Sequence, residues 1–392
     1  MTRKLTRREI LRAAGAGGTA LVLGSFGCST ELAPETAAEK DLLTRQETPF
    51  NAEPRLDHLV ESWITPFKQF YVRSHGTTPA VDPRGYALTI EGLVDRPLRM
   101  SLRDLDRLPK VMVPATMQCA GNRRNEQSRI KTVAGVQWDA GAIGTAEWRG
   151  VRVADILEKA GVKADAQHLW FEGLDTVTMK DRQTLFGGGV PIKKALRPET
   201  LVALEMNGRP LSREHGYPAR TVVPGFIGAR SVKWLGRIVV SERSSDNNFV
   251  ARDYKLFPPE ATPETVKPEE YGPIYEFVLS SAICSPLSGA TVKAGRIDVR
   301  GYAVPPGALG SALGGVQVSA DGGATWVTAK LLGRDAPFAW KLWSVEIDVA
   351  AGARTLTVRA TDERGQPQPE KAAWNFKGYQ HNGWHQVPIT VV

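Results

Sequence analysis

Residues 117–127 read MQCAGNRRNEQ, and they place Cys119 two residues before a glycine and close to two consecutive arginines. Gly121 lets the backbone approach a ligand closely, because glycine has no Cβ. Arg123 and Arg124 would stabilise a thiolate and attract anions. A free cysteine most often serves as a small buried hydrophobe. In this setting, however, the stretch favours a sulfur ligand beside an oxyanion site.

The chain contains three cysteines, Cys28, Cys119 and Cys284. Their wide spacing contains no Cys-x-x-Cys pair, no zinc-ligand pattern and no haem-attachment sequence. Each thiol therefore needs its own explanation. Cys284 has no partner and lies near the start of a strand-rich region, so it is predicted to be a core thiol.

The first 28 residues have the pattern of a twin-arginine export signal. Arg7 and Arg8 precede a Gly/Ala-rich apolar run, AAGAGGTALVLGSFG at 13–27. This run is too short for a transmembrane helix and too rich in glycine for a buried one. We therefore expect a periplasmic or otherwise exported protein, and this route typically carries enzymes folded around a cofactor. Cys28 stands where a lipoprotein cysteine could stand, and membrane attachment is expected only if it is lipidated.

Composition divides the rest of the chain into four parts. Residues 29–50 are polar and charged and are expected to form a mobile spacer. A mixed region at 51–262 is followed by a Pro- and Glu-rich linker at 263–273 and a strand-rich region at 274–392. The net charge of +8 comes from 50 basic and 42 acidic residues, and the basic residues form no stripe interleaved with aromatics. We therefore expect a local anion site and no nucleic-acid partner.

Local patterns in 51–262 predict an irregular α+β domain. YALTIEG at 86–92 alternates as a strand does. SLRDLDRL at 101–108 has a cap, an acid three residues later and leucines at helical spacing, and 153–160 predicts a second helix. Further strands are predicted at 221–223 and 232–240.

Beyond the linker, short alternating segments separated by turns predict a β-sandwich. The predicted strands are 296–302, 315–319, 325–329, 343–347 and 355–360. The chain is therefore expected to have two domains.

Four longer sequence motifs resemble those of a known family. The chain resembles the sulfite oxidase family of molybdopterin enzymes in CAGNRR at 119–124, EHGYPAR at 214–220, VVPGFIGARSVKWLGR at 222–237 and SADGGATW at 319–326. The similarity covers nearly all of the chain after the spacer. It implies a mixed α+β molybdopterin-binding catalytic domain at 51–262, an immunoglobulin-like dimerisation domain at 274–392, and hence a homodimer.

The resemblance also implies roles for the residues that match the family's motifs. Cys119 would supply a thiolate to molybdenum, and a soft thiolate suits a redox metal. The pterin and its phosphate are expected to contact Tyr71, Val72, Arg73, Ser74, His75, Asp175, His215, Arg220, Ser231, Val232 and Lys233. The substrate pocket is expected to include Arg73, Arg124, Trp138 and Tyr254. Basic side chains and backbone amides suit a phosphorylated pterin, and arginines suit an oxyanion.

Several of these residues also have simpler explanations. The alternatives are loop capping for Asp175, His215 and Ser231, a solvated surface charge for Arg73 and Lys233, and a core or interfacial aromatic for Trp138 and Tyr254.

We therefore expect an exported molybdenum enzyme that oxidises sulfite to sulfate. The sequence contains no haem-attachment motif, flavin fingerprint or further cysteine ligand set, so electrons are expected to pass to a separate partner, a c-type cytochrome. One rival is a reductase of nitrate or another oxyanion, because assimilatory nitrate reductases share CAGNRR. A rival of another class is a binding protein that has kept the β-sandwich and lost the metal. Another oxidisable sulfur compound is also open as the substrate.

Residue 377 departs from the family pattern. Sulfite oxidases commonly have a WNLRG-like phrase whose arginine reaches toward the substrate pocket, whereas this chain has WNFKG at 374–378. Lys377 keeps the positive charge without the planar, two-pronged geometry of arginine. We expect it to make a third, looser contact with the anion.

Overall fold

The chain folds mainly into strands. The computed structural model describes residues 42–179, 182–308 and 311–392. Within these ranges there are five β-sheets and five α-helices. The predicted export signal, Cys28 and most of the predicted spacer lie outside the described residues. No helix in the described ranges is long and apolar enough to cross a membrane.

A two-stranded hairpin precedes the larger sheets. Its strands, β1 (Leu42–Gln46) and β2 (Asn51–Pro54), are antiparallel. The prediction of a mobile spacer at 29–50 is therefore wrong for its C-terminal end, where β1 lies. The reason is a contact outside the spacer, because Arg45 Nε donates to Oε1 of the buried Glu53 at 2.6 Å. This pair and the backbone ladder order a segment that has no apolar period of its own.

Two five-stranded sheets form the N-terminal part of the fold. The first is antiparallel and contains β5 (Val111–Gln118), β6 (Ile143–Arg152), β9 (Leu201–Met206), β10 (Arg209–Pro210) and β11 (Arg220–Val222). The second runs in the order β4 (Leu98–Ser101), β3 (Ala87–Gly92), β12 (Leu235–Ser241), β7 (His168–Met179) and β8 (Arg182–Pro191). Within the second sheet β3 and β12 are parallel, and the other pairs are antiparallel.

The helices of this part are short. They are α1 (Leu56–Leu59), α2 (Leu102–Asp106), α3 (Arg124–Ile130), α4 (Val153–Ala160) and α5 (Ile192–Ala195). The predicted cap of α2 is confirmed, because Ser101 Oγ accepts from Asp104 N at 3.2 Å and Asp104 Oδ2 accepts from Ser101 N at 3.0 Å. Helix α4 is confirmed at its predicted bounds, and Gly161 caps its C-terminal end with a φ of 72°, which favours glycine.

Two sheets pack over a common apolar core in the C-terminal part. One contains β13 (Ser280–Ser285), β15 (Gly295–Val304), β19 (Lys341–Val349) and β18 (Lys330–Leu332). The other contains β14 (Thr291–Val292), β21 (His385–Val391), β20 (Gly352–Asp362), β16 (Leu313–Ser319) and β17 (Val327–Thr328). Val299 and Trp343 from the first sheet meet Val358 and Ile389 from the second in this core. All five predicted segments contain strand residues.

Candidate active site

A cavity of about 620 Å³, counting the solvent at its mouth, lies in the N-terminal part of the fold. Most of the predicted site residues line it, namely Tyr71, Arg73, Ser74, His75, Cys119, Asp175, His215, Arg220, Ser231, Lys233 and Tyr254. They come from separate segments of the chain, some within strands, as Asp175 in β7 and Arg220 in β11, and others in loops, so the fold brings distant parts of the chain together around one space.

Local backbone features place four of these side chains. Cys119 directly follows β5. The strand predicted at 232–240 begins only at Leu235, because Trp234 has a φ of 47° and interrupts the extended backbone. Ser231 and Lys233 therefore belong to the cavity wall instead of the sheet. Tyr254 follows a single π-helical turn, Phe249–Asp253, a type of turn that is frequent at functional sites.

The Cys119 side chain is buried with 6% exposure. Its backbone N–H donates to Ala142 O at 2.9 Å, and the Gly121 N–H donates to Sγ at 3.4 Å. The sulfur is thus fixed by backbone contacts and faces the cavity. This arrangement leaves a thiol accessible to a bound group but protected from bulk water.

His75 and Tyr254 form a hydrogen-bonded pair on the cavity wall. Tyr254 Oη lies 3.0 Å from His75 Nε2. Burial, together with the positive charges of Arg73, Lys233 and Arg124, holds the pKa of His75 well below its ordinary value. Burial also raises the pKa of Tyr254. At neutral pH the pair therefore consists of a neutral imidazole and a protonated phenol.

Arg220 and Lys233 donate hydrogen bonds to uncharged groups of the cavity wall. Arg220 Nη1 donates to His215 O at 2.9 Å, and Arg220 Nη2 donates to Ser231 O at 3.0 Å. Lys233 Nζ donates to Ser74 Oγ and to Glu214 O, each at 2.7 Å. Burial lowers the pKa of Arg220 to about 10, so its guanidinium stays charged at neutral pH. The cavity is therefore suited to an anionic ligand.

Two buried polar atoms on the cavity wall lack a hydrogen-bond partner among the described residues, Asp175 Oδ1 and His215 Nε2. Nδ1 of His215 is already bonded to Ser212 Oγ at 2.8 Å. Burial raises the pKa of Asp175, and burial with the charges of Arg220 and Lys233 lowers the pKa of His215 to about 3. Buried polar groups are normally paired. These atoms fit a ligand with its own polar ring atoms and an anionic group, as a phosphorylated pterin has.

Four predicted residues do not line the cavity. Val72 exchanges backbone hydrogen bonds with Ala52, and Val232 N donates to Thr221 Oγ1 at 2.7 Å. Trp138 is fully buried in the same apolar cluster as Cys119, which supports the core alternative, although its indole N–H has no partner among the described residues. Arg124 is buried outside the cavity lining, but its charge lowers the pKa of His75. These four residues support the wall rather than form its surface.

The expected anion contact of Lys377 is wrong in this structure. Lys377 Nζ donates to Asp253 Oδ1 at 2.6 Å, and the side chain lies on a neighbouring groove instead of the cavity. A nearby carboxylate neutralises its charge, and sequence alone could not show that the two residues meet. Only the backbone of Lys377 touches the site, where its carbonyl accepts from Arg124 Nε at 3.1 Å.

The sequence analysis missed a polar anchor that joins the CAGNRR segment to the C-terminal part of the fold. Arg123 is fully buried and pairs with Glu126 through Nε and Nη2 at 2.6 and 2.7 Å. Its Nη1 donates to Ser281 O and Gly383 O. Asn122 Nδ2 also donates to Tyr302 Oη at 3.0 Å. The only local signal was an acid three residues after an arginine at the start of a helix.

We predict that Glu126→Gln lowers the free energy of unfolding at pH 7 by about 2 kcal/mol, because it leaves the buried Arg123 without its charge partner. Burial raises the pKa of Glu126, but the charge and hydrogen bonds of Arg123 outweigh burial and hold it well below the ordinary value. This stabilisation is therefore complete above the ordinary pKa of glutamate and is lost as the pH falls below it. Urea unfolding at several pH values measures both effects.

The exposed Glu158 on α4 is the matched control, and Glu158→Gln should leave unfolding within about 0.5 kcal/mol of the unmodified chain. Equal losses of unfolding free energy for Glu126→Gln and Glu158→Gln would show that the pair of Arg123 and Glu126 does not stabilise the fold. A loss that is the same at acidic and neutral pH would contradict the role of the charge.

Comparisons with known proteins agree with this geometry. A family described as the oxidoreductase molybdopterin binding domain matches residues 75–249, and the Mo-co oxidoreductase dimerisation domain matches 272–392. The mitochondrial sulfite oxidase of Macaca fascicularis is 42% identical over 89% of this chain and 66% of that protein. The sulfite oxidase of Arabidopsis thaliana is 37% identical over 91% of this chain and 96% of that protein. The chain thus spans about two thirds of the mammalian relative's length.

Among solved structures, the crystal structure of the sulfane dehydrogenase SoxCD from Paracoccus pantotrophus is similar to this chain with a TM-score of 0.74 and 27% identity. The similarity covers 98% of this chain and 96% of that chain. It therefore extends over both parts of the fold.

Proposed function

The chain belongs to the sulfite oxidase family of molybdenum oxidoreductases, and on that premise we propose that it oxidises sulfite to sulfate and passes the electrons to a separate acceptor. The observation that carries this proposal is the buried thiol of Cys119 on the wall of a cationic cavity. A soft ligand and an anion-binding surface in one enclosed space suit a redox metal and a dianionic substrate.

The cofactor of this family, molybdopterin with molybdenum, fits the cavity. Cys119 would bind the metal, and Asp175 and His215 would meet the pterin with the buried atoms that lack partners. Arg220 and Lys233 would hold the phosphate. When bound, this group supplies two-electron redox chemistry and transfer of an oxygen atom. In the overall reaction sulfite gains one oxygen derived from water and releases two electrons and two protons.

The side chains near Cys119 would bind the substrate and control its protons. Arg73 lines the cavity, and Arg124 places a second positive charge close to it. Arg73 would orient the sulfite oxygens by charge-assisted hydrogen bonds, and Arg124 would attract the anion by its charge. Tyr254 keeps its proton at neutral pH. In the tautomer in which His75 Nε2–H donates to Oη, the phenol would donate its own hydrogen bond to a substrate oxygen.

Purified protein with its cofactor tests this function. We expect stoichiometric molybdenum and phosphorus, rapid reduction of a c-type cytochrome by sulfite, and no oxidation of a reduced dye by nitrate. Nitrate turnover without sulfite turnover would favour the reductase. Absence of molybdenum in protein that folds normally would favour a binding protein.

The likeness to a sulfane dehydrogenase over nearly the whole chain favours one second candidate. In that case a sulfane sulfur, and not sulfite, would be oxidised in the same cavity. Thiosulfate added to the same cytochrome assay separates the two candidates. A kcat/KM for thiosulfate above that for sulfite would overturn the proposed substrate.

We also propose that the chain is exported by the twin-arginine signal in residues 1–28 and that it forms a homodimer through an immunoglobulin-like domain at 274–392. The match to a dimerisation domain and the two sheets over one core support the second proposal. Cell fractionation of a variant with Arg7 and Arg8 both changed to Lys tests export, and light scattering after size exclusion tests the dimer. Retained export, or a monomer at micromolar concentration, would contradict them.

For Lys377 we predict that Asp253→Asn lowers the KM for sulfite and steepens its salt dependence, because the substitution releases the ammonium group. Lys377→Met should leave KM within about twofold, since the charge is already paired and partly exposed. Steady-state kinetics at several ionic strengths measures both effects, and Asp246→Asn, at an exposed aspartate, is the control. A sharp rise in KM for Lys377→Met would instead show that Lys377 does contact the anion.

A further inference from the structure

Tyr379 is a buried tyrosine in the C-terminal part of the fold that the sequence analysis did not select. It has 6% exposure and directly follows a tight turn at 375–378, in which Gly378 N donates to Asn375 O at 2.8 Å. The Asn375 side chain closes this turn, because its Oδ1 accepts from Tyr379 N and its Nδ2 donates to Tyr379 O, each at 3.0 Å. Asn375 N in turn donates to Gln127 Oε1 of α3 at 3.2 Å. The ring is therefore held in one place relative to the CAGNRR segment.

The Tyr379 ring contacts two side chains that we assign to the substrate. It stacks on the ring of Tyr254 with centroids 5.1 Å apart and an angle of 16° between planes. Cζ of Arg124 lies over the same ring, 5.3 Å from its centroid. Both partners come from the N-terminal part of the fold. One residue of the C-terminal part therefore lies against two residues to which we assign roles toward the anion.

The ring of Tyr379 supplements the hydrogen bonds of Arg124, which go to only two backbone carbonyl oxygens. Nε and Nη1 donate to the carbonyl oxygens of Lys377 and Val136 at 3.1 and 2.9 Å. These acceptors are uncharged, so the contacts leave the guanidinium charge available to an anion. Gly121 and Gly378 adjoin the side chain so closely that a Cβ would lie 2.5 and 2.7 Å from it. The guanidinium thus lies in a slot lined by glycine, and Tyr379 provides an aromatic wall for it.

We infer that Tyr379 is a positioning residue for substrate binding, and this inference rests on the proposed function. Its ring holds the Arg124 guanidinium by a cation–π contact and fixes the plane of Tyr254 by stacking. The contribution comes from the ring and not from the hydroxyl. The anion site is therefore completed by the C-terminal part of the same chain.

The test compares Tyr379→Leu with Tyr379→Phe in protein purified with its cofactor. We expect Tyr379→Leu to raise the KM for sulfite and the dissociation constant for sulfate by about tenfold, the size expected for one buried cation–π contact. Its kcat should change much less. Tyr379→Phe keeps the ring and should restore both constants to within about twofold. Sulfate affinity is read by calorimetry and does not depend on turnover.

Phe376→Leu is the matched control, because Phe376 belongs to the same turn and stacks on Phe257 with centroids 5.0 Å apart. It should alter melting as much as Tyr379→Leu does but leave KM and sulfate affinity unchanged. Equal losses in Tyr379→Phe and Tyr379→Leu, or unchanged sulfate binding in Tyr379→Leu, would overturn the inference. If the unmodified enzyme binds sulfate but does not oxidise sulfite, the proposed function fails, whereas the calorimetric comparison still tests Tyr379.

Discussion

Cys119→Ser will fold with nearly unchanged stability and lose sulfite oxidation down to background. A hydroxyl has almost the same size as a thiol, and the backbone contacts around Cys119 do not require sulfur. As a ligand, however, it is much harder than thiolate and binds a redox metal of this kind poorly. The electronic absorption spectrum of the purified protein should change together with turnover. Melting temperature and molybdenum content, measured on the same sample, separate loss of the ligand from loss of fold or cofactor.

Cys284→Ser is the matched control for this prediction. Cys284 is fully buried in the core, and burial raises the pKa of its thiol, so it is inert. The substitution should lower stability, because it buries a hydroxyl in an apolar environment, but it should leave the spectrum and the kcat of the folded protein unchanged. Wild-type turnover in Cys119→Ser at full molybdenum occupancy would show that Cys119 is not a metal ligand.

Arg73→Gln and Arg124→Gln will each reduce kcat/KM for sulfite by about a hundredfold, comparable to the loss of one preorganised donor in an anion site. Arg73 lines the cavity, and the Arg124 charge reaches it from behind the wall. Glutamine keeps a polar side chain of similar length but removes the positive charge. Steady-state kinetics and thermal melting of the same preparations measure the two properties separately.

The exposed Arg99 on β4 provides the control for net charge, and Arg99→Gln should leave kcat/KM unchanged. Each cavity variant should also lose much of its sensitivity to salt, because screening acts on the charge that was removed. A large fall in melting temperature with an unchanged kcat/KM of the folded fraction would show that the arginine is structural.

Short-range features of this protein could be predicted from its sequence. The capping box of Ser101 and Asp104 and the helix over 153–160 depend on residues three or four apart. Each such pattern is complete within one turn of helix or a few strand residues, so composition and spacing suffice. The residues that line the cavity could be predicted for a similar reason, because each lies in a short segment that resembles one of the family's motifs.

Only the tertiary structure decided the contacts between residues that lie far apart in the chain. Lys377 pairs with Asp253, 124 positions away, and Arg124 donates to the carbonyl of Lys377, 253 positions away. The ordering of β1, the Glu126 anchor and the stacking of Tyr379 on Tyr254 are of the same kind. A single sequence carries no signal for such pairs, because each partner has a satisfactory local explanation as a solvated charge or a core aromatic. The sequence by itself therefore predicted most of the side chains that line the cavity, and packing of the C-terminal part against the CAGNRR segment decided which of their charges stay free for an anion.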